Sequence, residues 1–146
     1  MSQFKGIAFA PLLAQIHAQA FSAPWSEQSF LSLLKLPTTV GWANEHGFLL
    51  TSDLGDDMEI LTLAILPTER RKGYANSLMT ELITWAKQHH KTSIFLEVAQ
   101  DNIPAQNLYV KTGFVQTGKR PNYYKRGKAS VDAICMTLSL NSSEEF

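Results

Sequence analysis

With 146 residues, 45% of them hydrophobic and 18% charged, the chain has the length and composition of one globular domain with one sizeable core. Thirteen Lys and Arg balance thirteen Asp and Glu, so no long-range charge favours nucleic acid or an anionic membrane as a partner. No apolar run approaches the ~20 residues of a membrane span; Met1-Ser2-Gln3-Phe4-Lys5 has no secretory pattern, and the single Cys135 cannot form an internal disulfide, so a cytoplasmic setting is expected.

A short first strand is placed near Phe4 to Ala8. Ala10 to Ala20 reads as a helix, with Leu12, Leu13, Ile16 and Ala20 at helical spacing. Pro24-Trp25-Ser26-Glu27 opens a second helix: Ser26 can cap it, Glu27 suits its positive end, and Pro37 stops it. Thr38 to Ala43 and Phe48 to Ser52 read as strands joined by a turn at Asn44-Glu45-His46-Gly47, and Met58 to Leu66 as a mostly apolar strand ended by Pro67. A helix is expected from about Gly73 to His89, with Tyr74, Leu78, Leu82 and Trp85 on one face. Ser93 to Val98 is a short strand. Ile103 to Lys111 is a helix with Asn102 as its cap, Pro104 in its first turn and Gly113 past its end. Phe114 to Thr117 and Val131 to Leu140 close the chain as strands, and 141–146 read as a loose polar tail on a single domain. This order describes a mixed α/β sheet with helices packed on it.

Two stretches carry chemistry. The first runs Leu63-Ala64-Ile65-Leu66-Pro67-Thr68-Glu69-Arg70-Arg71-Lys72-Gly73-Tyr74-Ala75, a strand entering a basic loop and then a helix. The first N–H groups of a helix have no partner within it, and its dipole favours an anion there. Gly73 lets a phosphate approach the backbone, and Arg70, Arg71 and Lys72 add charge, so the segment suits a pyrophosphate. The nucleotide P-loop and Rossmann fingerprints are absent, and a solvated basic helix start remains the plain alternative. The second stretch holds Glu97 between Leu96 and Val98, then Asn102, Asn107-Leu108-Tyr109 and Gly113-Phe114. Burial of Glu97 on an inner strand would raise its pKa towards that of a general base, and the Tyr109 phenol can donate a proton. Each residue alone also fits a structural role, as a paired carboxylate and a core aromatic. Cys135, in an alternating strand, reads as structural, His89-His90 as a helix end, and no His or Cys spacing suggests a metal site.

Arg70-x-x-Gly73-x-Ala75 resembles the Q/R-x-x-G-x-G/A signature of the GNAT acetyltransferases. Leu96-Glu97-Val98, Asn102, Leu108-Tyr109 and Gly113-Phe114, with Phe21-x-x-Pro24-Trp25-Ser26 and Arg120-x-Asn122-Tyr123-Tyr124, resemble its ribosomal-protein-alanine N-acetyltransferase (RimI) branch, from about Ala10 to Leu138. The resemblance implies a GNAT fold, an α/β architecture whose mixed, mostly antiparallel sheet is flanked by helices. It implies acetyl-CoA as donor without a metal, and a protein or peptide N-terminus, such as that of a ribosomal protein, as acceptor. Leu63, Ala64 and Ile65 would hold the pantetheine arm, Arg71 to Asn76 would wrap the pyrophosphate, and Asn102 would contact the arm. Glu97 would be the base and Tyr109 the acid. Tyr123 and Tyr124 would line an acceptor groove or a strand edge, and Trp25 would touch the acceptor or pack beneath its loop. Ala99 stands where this branch has arginine, and Val131 where it has an acidic residue, which bears on the choice of acceptor. A GNAT acting on a small amine and a non-catalytic acyl-CoA-binding module are the other readings. Oligomeric state is left open.

Overall fold

The computed structural model describes residues 2–140. The expected tail at 141–146 lies outside the described residues. β1 (Ser2–Phe4) leads through a 3-10 turn (Ile7–Phe9) into α1 (Ala10–Ala20) and α2 (Glu27–Leu34). β2 (Thr39–Asn44), β3 (Gly47–Asp53) and β4 (Asp57–Ile65) follow as a meander, and α3 (Tyr74–Gln88) crosses from β4 to β5 (Ser93–Ala99). α4 (Ile103–Thr112), β6 (Val115–Arg126) and β7 (Ala129–Ser139) complete the fold. The local signals act as expected: the Ser26 hydroxyl accepts from Ser29 N–H, the Asn102 side-chain Oδ1 accepts from Ala105 N–H, and Gly113 closes α4 in the left-handed region.

The seven strands form one sheet in the order β1-β2-β3-β4-β5-β7-β6. β4 and β5 are its parallel pair, joined by the α3 crossover that such a pair requires; the other neighbours are antiparallel. Three expectations shift. The first strand lies earlier, and Ile7–Phe9 forms the 3-10 turn. The last two strands are longer than Phe114 to Thr117 and Val131 to Leu140, because they pair as a hairpin out to Arg126↔Ala129. Polar residues there conceal the strand pattern, since one side of the hairpin faces solvent. β7 also inserts between β5 and β6, a non-local choice that no local signal encodes.

Helices cover the two sheet faces unequally. Leu78, Met79, Leu82 and Ala86 of α3 join Val40, Trp42, Leu49, Met58, Ile94, Leu96, Tyr109, Ile134 and Met136 in one core. Leu13 and Ile16 of α1 and Phe30 and Leu34 of α2 join Phe4, Phe48, Leu50 and Ala64 in a second core on the other face. That second core stops at β4. Beyond it, the α1/α2 side of β5, β7 and β6 is open, and Phe95, Glu97, Cys135 and Thr137 are only half-buried. No helix among the described residues is long and apolar enough to cross a membrane.

Candidate active site

The site is created by a break in strand pairing. β4 and β5 pair only at Asp57↔Ser93, Met58↔Ile94 and Glu59↔Phe95, although both strands continue well beyond. Against β3, Leu50 faces Thr62 while Thr51 faces Ile60, so Leu61 is an extra residue. A bulge of this kind bends its strand and reverses the side-chain alternation beyond it. Met58 and Ile60 join the α3 core before the bulge; Leu63 and Ile65 do so after it. The bend lets β4 part from β5. Ile60 and Thr62 to Ile65 therefore keep their partners in β3 but have none in β5, leaving an unpaired backbone edge at the gap. That edge matches an extended, amide-bearing ligand, as backbone donors and acceptors need partners. Leu63, Ala64 and Ile65 lie along it.

The basic loop leads from the end of this edge. Gly73 has φ 86° and precedes α3 directly; its carbonyl accepts the first helical bond, from Ser77 N–H, leaving the N–H groups of Tyr74, Ala75 and Asn76 at the open end of the helix. Nothing lies within 4 Å of where a Gly73 Cβ would stand. Arg71 is also left-handed, at φ 68°. Left-handed residues of this kind occur in the backbone concavities that bind anions. Other side chains here have internal partners. The Arg70 guanidinium donates to the carbonyls of Ala20 (2.9 Å) and Ile65 (3.4 Å), which ties the loop to the end of α1. Lys72 pairs with Glu69 at 3.3 Å, and the Tyr74 ring stacks on His46 at 3.9 Å. Asn102 spends its side-chain oxygen on the α4 cap.

On the open face, Glu59, Phe95, Glu97, Thr117, Arg120, Cys135 and Thr137 line a pocket of about 170 Å³. Glu97 is not enclosed by apolar neighbours as its sequence context suggests. Arg120 Nε lies 2.6 Å from its Oε2, and the Cys135 thiol donates to the same oxygen at 3.6 Å. The alternation of β5 explains this: Leu96 and Val98 enter the core while Glu97 faces the uncovered side. Partial burial, reinforced by the Glu97 carboxylate, pushes the Glu59 carboxyl above its usual range, with Arg120 opposing. Burial and Glu97 likewise push the Cys135 thiol up, away from nucleophile behaviour.

Tyr109 is buried beneath α4, 5.7 Å from the Phe114 ring, on the other side of the sheet from Glu97. Burial drives its phenol far above the usual value, and the neighbouring Tyr124 phenol adds to this. Tyr124 connects the two sides: its hydroxyl donates to the Glu97 backbone carbonyl at 3.4 Å. Tyr123 is exposed, with the Arg120 guanidinium 5.0 Å from its ring centre. Between Arg120↔Ala133 and Tyr124↔Val131, three residues of β6 face only Asp132. Asn122 turns left-handed there at φ 55°, and Asp132 accepts its N–H at 2.9 Å. The Asn-Tyr-Tyr piece thus builds an irregular rim beside the pocket.

Trp25, in the Pro24-Trp25-Ser26 segment, lines a second cavity with Ser29, Ser32 and Leu33, and the segment is held by a residue that sequence reasoning passed over. His17, 3% exposed, accepts Trp25 N–H at Nδ1 (3.0 Å), which leaves Nε2–H to donate to Thr62 Oγ1 (3.1 Å), one residue past the bulge. Its ring stacks between Phe21 (4.3 Å) and Trp25 (5.2 Å). Burial lowers its pKa to about 4. Sequence reasoning also passed over Glu59 and did not assign Arg120 a place at the pocket. The alternation of β4 and the basic Lys119-Arg120 pair were visible, but which strand met which was not.

Known proteins resemble this chain in sequence and in fold. The model of the acetyltransferase (GNAT) family matches residues 10–114. A [ribosomal protein bS18]-alanine N-acetyltransferase of Haemophilus ducreyi is 34% identical over 134 residues, covering 88% of this chain and 92% of that protein. The enzyme of the same name from Escherichia coli K12 is 29% identical over 136 residues, covering 90% and 91%. The crystal structure of the ribosomal-protein-S18-alanine N-acetyltransferase from Escherichia coli superposes with a TM-score of 0.86 at 26% identity, over 95% of this chain and 93% of that one.

Proposed function

The chain belongs to the GNAT acetyltransferase family, and from that premise we propose that it moves the acetyl group of acetyl-CoA onto a polypeptide α-amino group, that of the N-terminal alanine of ribosomal protein S18. The observation that carries the donor half is the gap between β4 and β5, which ends at the left-handed Gly73 and the open N-terminus of α3. The edge of Leu63, Ala64 and Ile65 binds the amides of the pantetheine arm. The amides of Arg71 to Asn76 receive the pyrophosphate, helped by the charges of Arg71 and Lys72. Arg70 braces the loop through its two carbonyl contacts and Asn102 shapes the start of α4, so both act here through structure. The acceptor half rests on the relatives' activity and on the open Glu97 pocket, bordered by Arg120 at the start of the irregular Tyr123-Tyr124 stretch of β6.

The chemistry is a direct transfer. An α-ammonium has a pKa of about 7.7–8.0, against about 10.4 for lysine, so it yields its proton readily near neutral pH. Glu97 accepts that proton, directly or through a water, and the freed lone pair attacks the thioester carbonyl carbon. An amide at the β4 edge stabilises the oxyanion. The C–S bond then breaks and the sulfur leaves with its electron pair. Tyr109, held protonated by its burial, donates to that sulfur. A phenol with a raised pKa gives up its proton less easily, so its contribution is mainly a hydrogen bond that strengthens as charge grows on sulfur. The attacking nitrogen sheds its second proton as the C–S bond breaks and that proton ends on the sulfur, so the products are the acetylated amine and the free thiol, with the proton taken by Glu97 released to solvent.

Mass spectrometry tests the proposal. Ribosomal protein S18 incubated with the protein and acetyl-CoA gains one acetyl group on its N-terminal alanine. Acetylation confined to lysines, or to spermidine offered alongside, overturns the acceptor assignment.

A further inference from the structure

Glu59 is half-buried, yet among the described residues it has no ion pair and no side-chain hydrogen bond. It occupies the last paired position of β4 before the gap, opposite Phe95, and shares the open face and the pocket with Glu97 two residues further along β5. Among the described residues, one cation lines the pocket with these two carboxylates: Arg120, which reaches across from β6 and pairs with Glu97 and not with Glu59. A partly desolvated carboxylate without a partner is unfavourable, and a second cation entering the pocket would relieve it. Arg120 is poorly anchored. Its side chain is 57% exposed, it borders the irregular stretch of β6, and it leans on the Tyr123 ring at the rim. The guanidinium side of this pair stands in solvent, which screens its attraction, so an incoming ammonium can compete with Arg120 for Glu97.

We infer that Glu59 is an acceptor-binding residue: together with Glu97 it seats the ammonium form of the incoming amine, and Arg120 holds that seat closed until the acceptor displaces it. The inference rests on reading the chain as an amine acetyltransferase, and deepens it. A pocket of about 170 Å³ holds a chain terminus but not a folded surface. At neutral pH an α-amino group is still largely charged, so it arrives as the cation that the two carboxylates lack. One carboxylate must then take a proton while the other keeps the site anionic. Glu97, beside the gap, takes the proton; Glu59, at the last paired step, holds the charge.

The test compares the parent protein, Glu59→Gln and Arg120→Gln in steady-state acetylation of a peptide that begins with alanine, with spermidine as a second acceptor. Glu59→Gln should raise the acceptor KM by about tenfold, the scale of one lost charged contact, while kcat and the acetyl-CoA KM stay near the parent values. Arg120→Gln should lower the acceptor KM, because the competing cation is gone. A merely structural Glu59 would shift Tm, kcat and the acetyl-CoA KM together. An unchanged acceptor KM in Glu59→Gln, or a raised one in Arg120→Gln, overturns the inference. Should Glu59→Gln fail to fold, the sign of the Arg120→Gln effect decides. A parent that acetylates spermidine and not the peptide refutes the acceptor proposed above; the same two variants, measured on spermidine, then decide the carboxylate seat separately.

Discussion

Acid should weaken this protein through His17. The imidazole is 3% exposed, both its nitrogens have partners that suit the neutral ring, and burial lowers its pKa from 6.5 to about 4. Protonation would put a hydrogen on Nδ1, facing the Trp25 N–H that it now accepts. The native state therefore binds this proton more weakly than the unfolded chain does. Stability is unaffected above the unfolded value of 6.5, falls as the pH drops below it, and stops falling through this group below about 4. Linkage between the two values gives a loss of about 2 kcal/mol at about pH 5 and about 3 kcal/mol at about pH 4. The assay is urea unfolding of the parent and of His17→Gln from about pH 7.5 to about pH 4.5, where every other titrating group is common to both proteins. At neutral pH the variant should be less stable by about 1–3 kcal/mol, the cost of buried hydrogen bonds poorly replaced. By about pH 5 the gap should shrink by about 2 kcal/mol, because glutamine does not titrate. A gap that stays constant with pH would refute the neutral, doubly bonded His17.

The remaining predictions concern the transfer. Glu97→Gln keeps size and hydrogen bonding but loses basicity, so kcat at neutral pH should fall by ~10²–10⁴-fold with acetyl-CoA affinity retained; turnover close to the parent's removes Glu97 as base. Tyr109→Phe should cost less, and its deficit should shrink on acetyl thioesters with more acidic thiols; an equal deficit for every leaving group makes Tyr109 a packing residue. Gly73→Val forces a β-branched residue into φ 86° and directs methyl groups into the space left for phosphate, so calorimetry should record much weaker acetyl-CoA binding, and unchanged affinity would remove the anion site.

Much of the fold is written locally. Ser26 and Asn102 cap their helices by bonds to residues three positions away, and Gly113 ends α4 through its own backbone freedom. Such signals act within a few residues, so the chain order of helices and most strands can be read without knowing what packs on them. The same holds for the basic loop, whose Gly73 and following helix start are neighbours in sequence. The long β6–β7 hairpin escaped because its exposed side carries no apolar alternation.

Tertiary structure alone decided what surrounds Glu97. Glu97 stands between apolar residues in the sequence, but a strand sends neighbours to opposite faces, and only the extent of α1 and α2 determined that its face is open. Its partners come from far along the chain: Arg120 and Cys135 approach because β7 inserts between β5 and β6. Glu59 arrives through the parallel pairing of β4 with β5, and that pairing ends beside the bulge at Leu61. Strand neighbours, register and the reach of a covering helix are set by the packing of the whole core, so no window of sequence contains them.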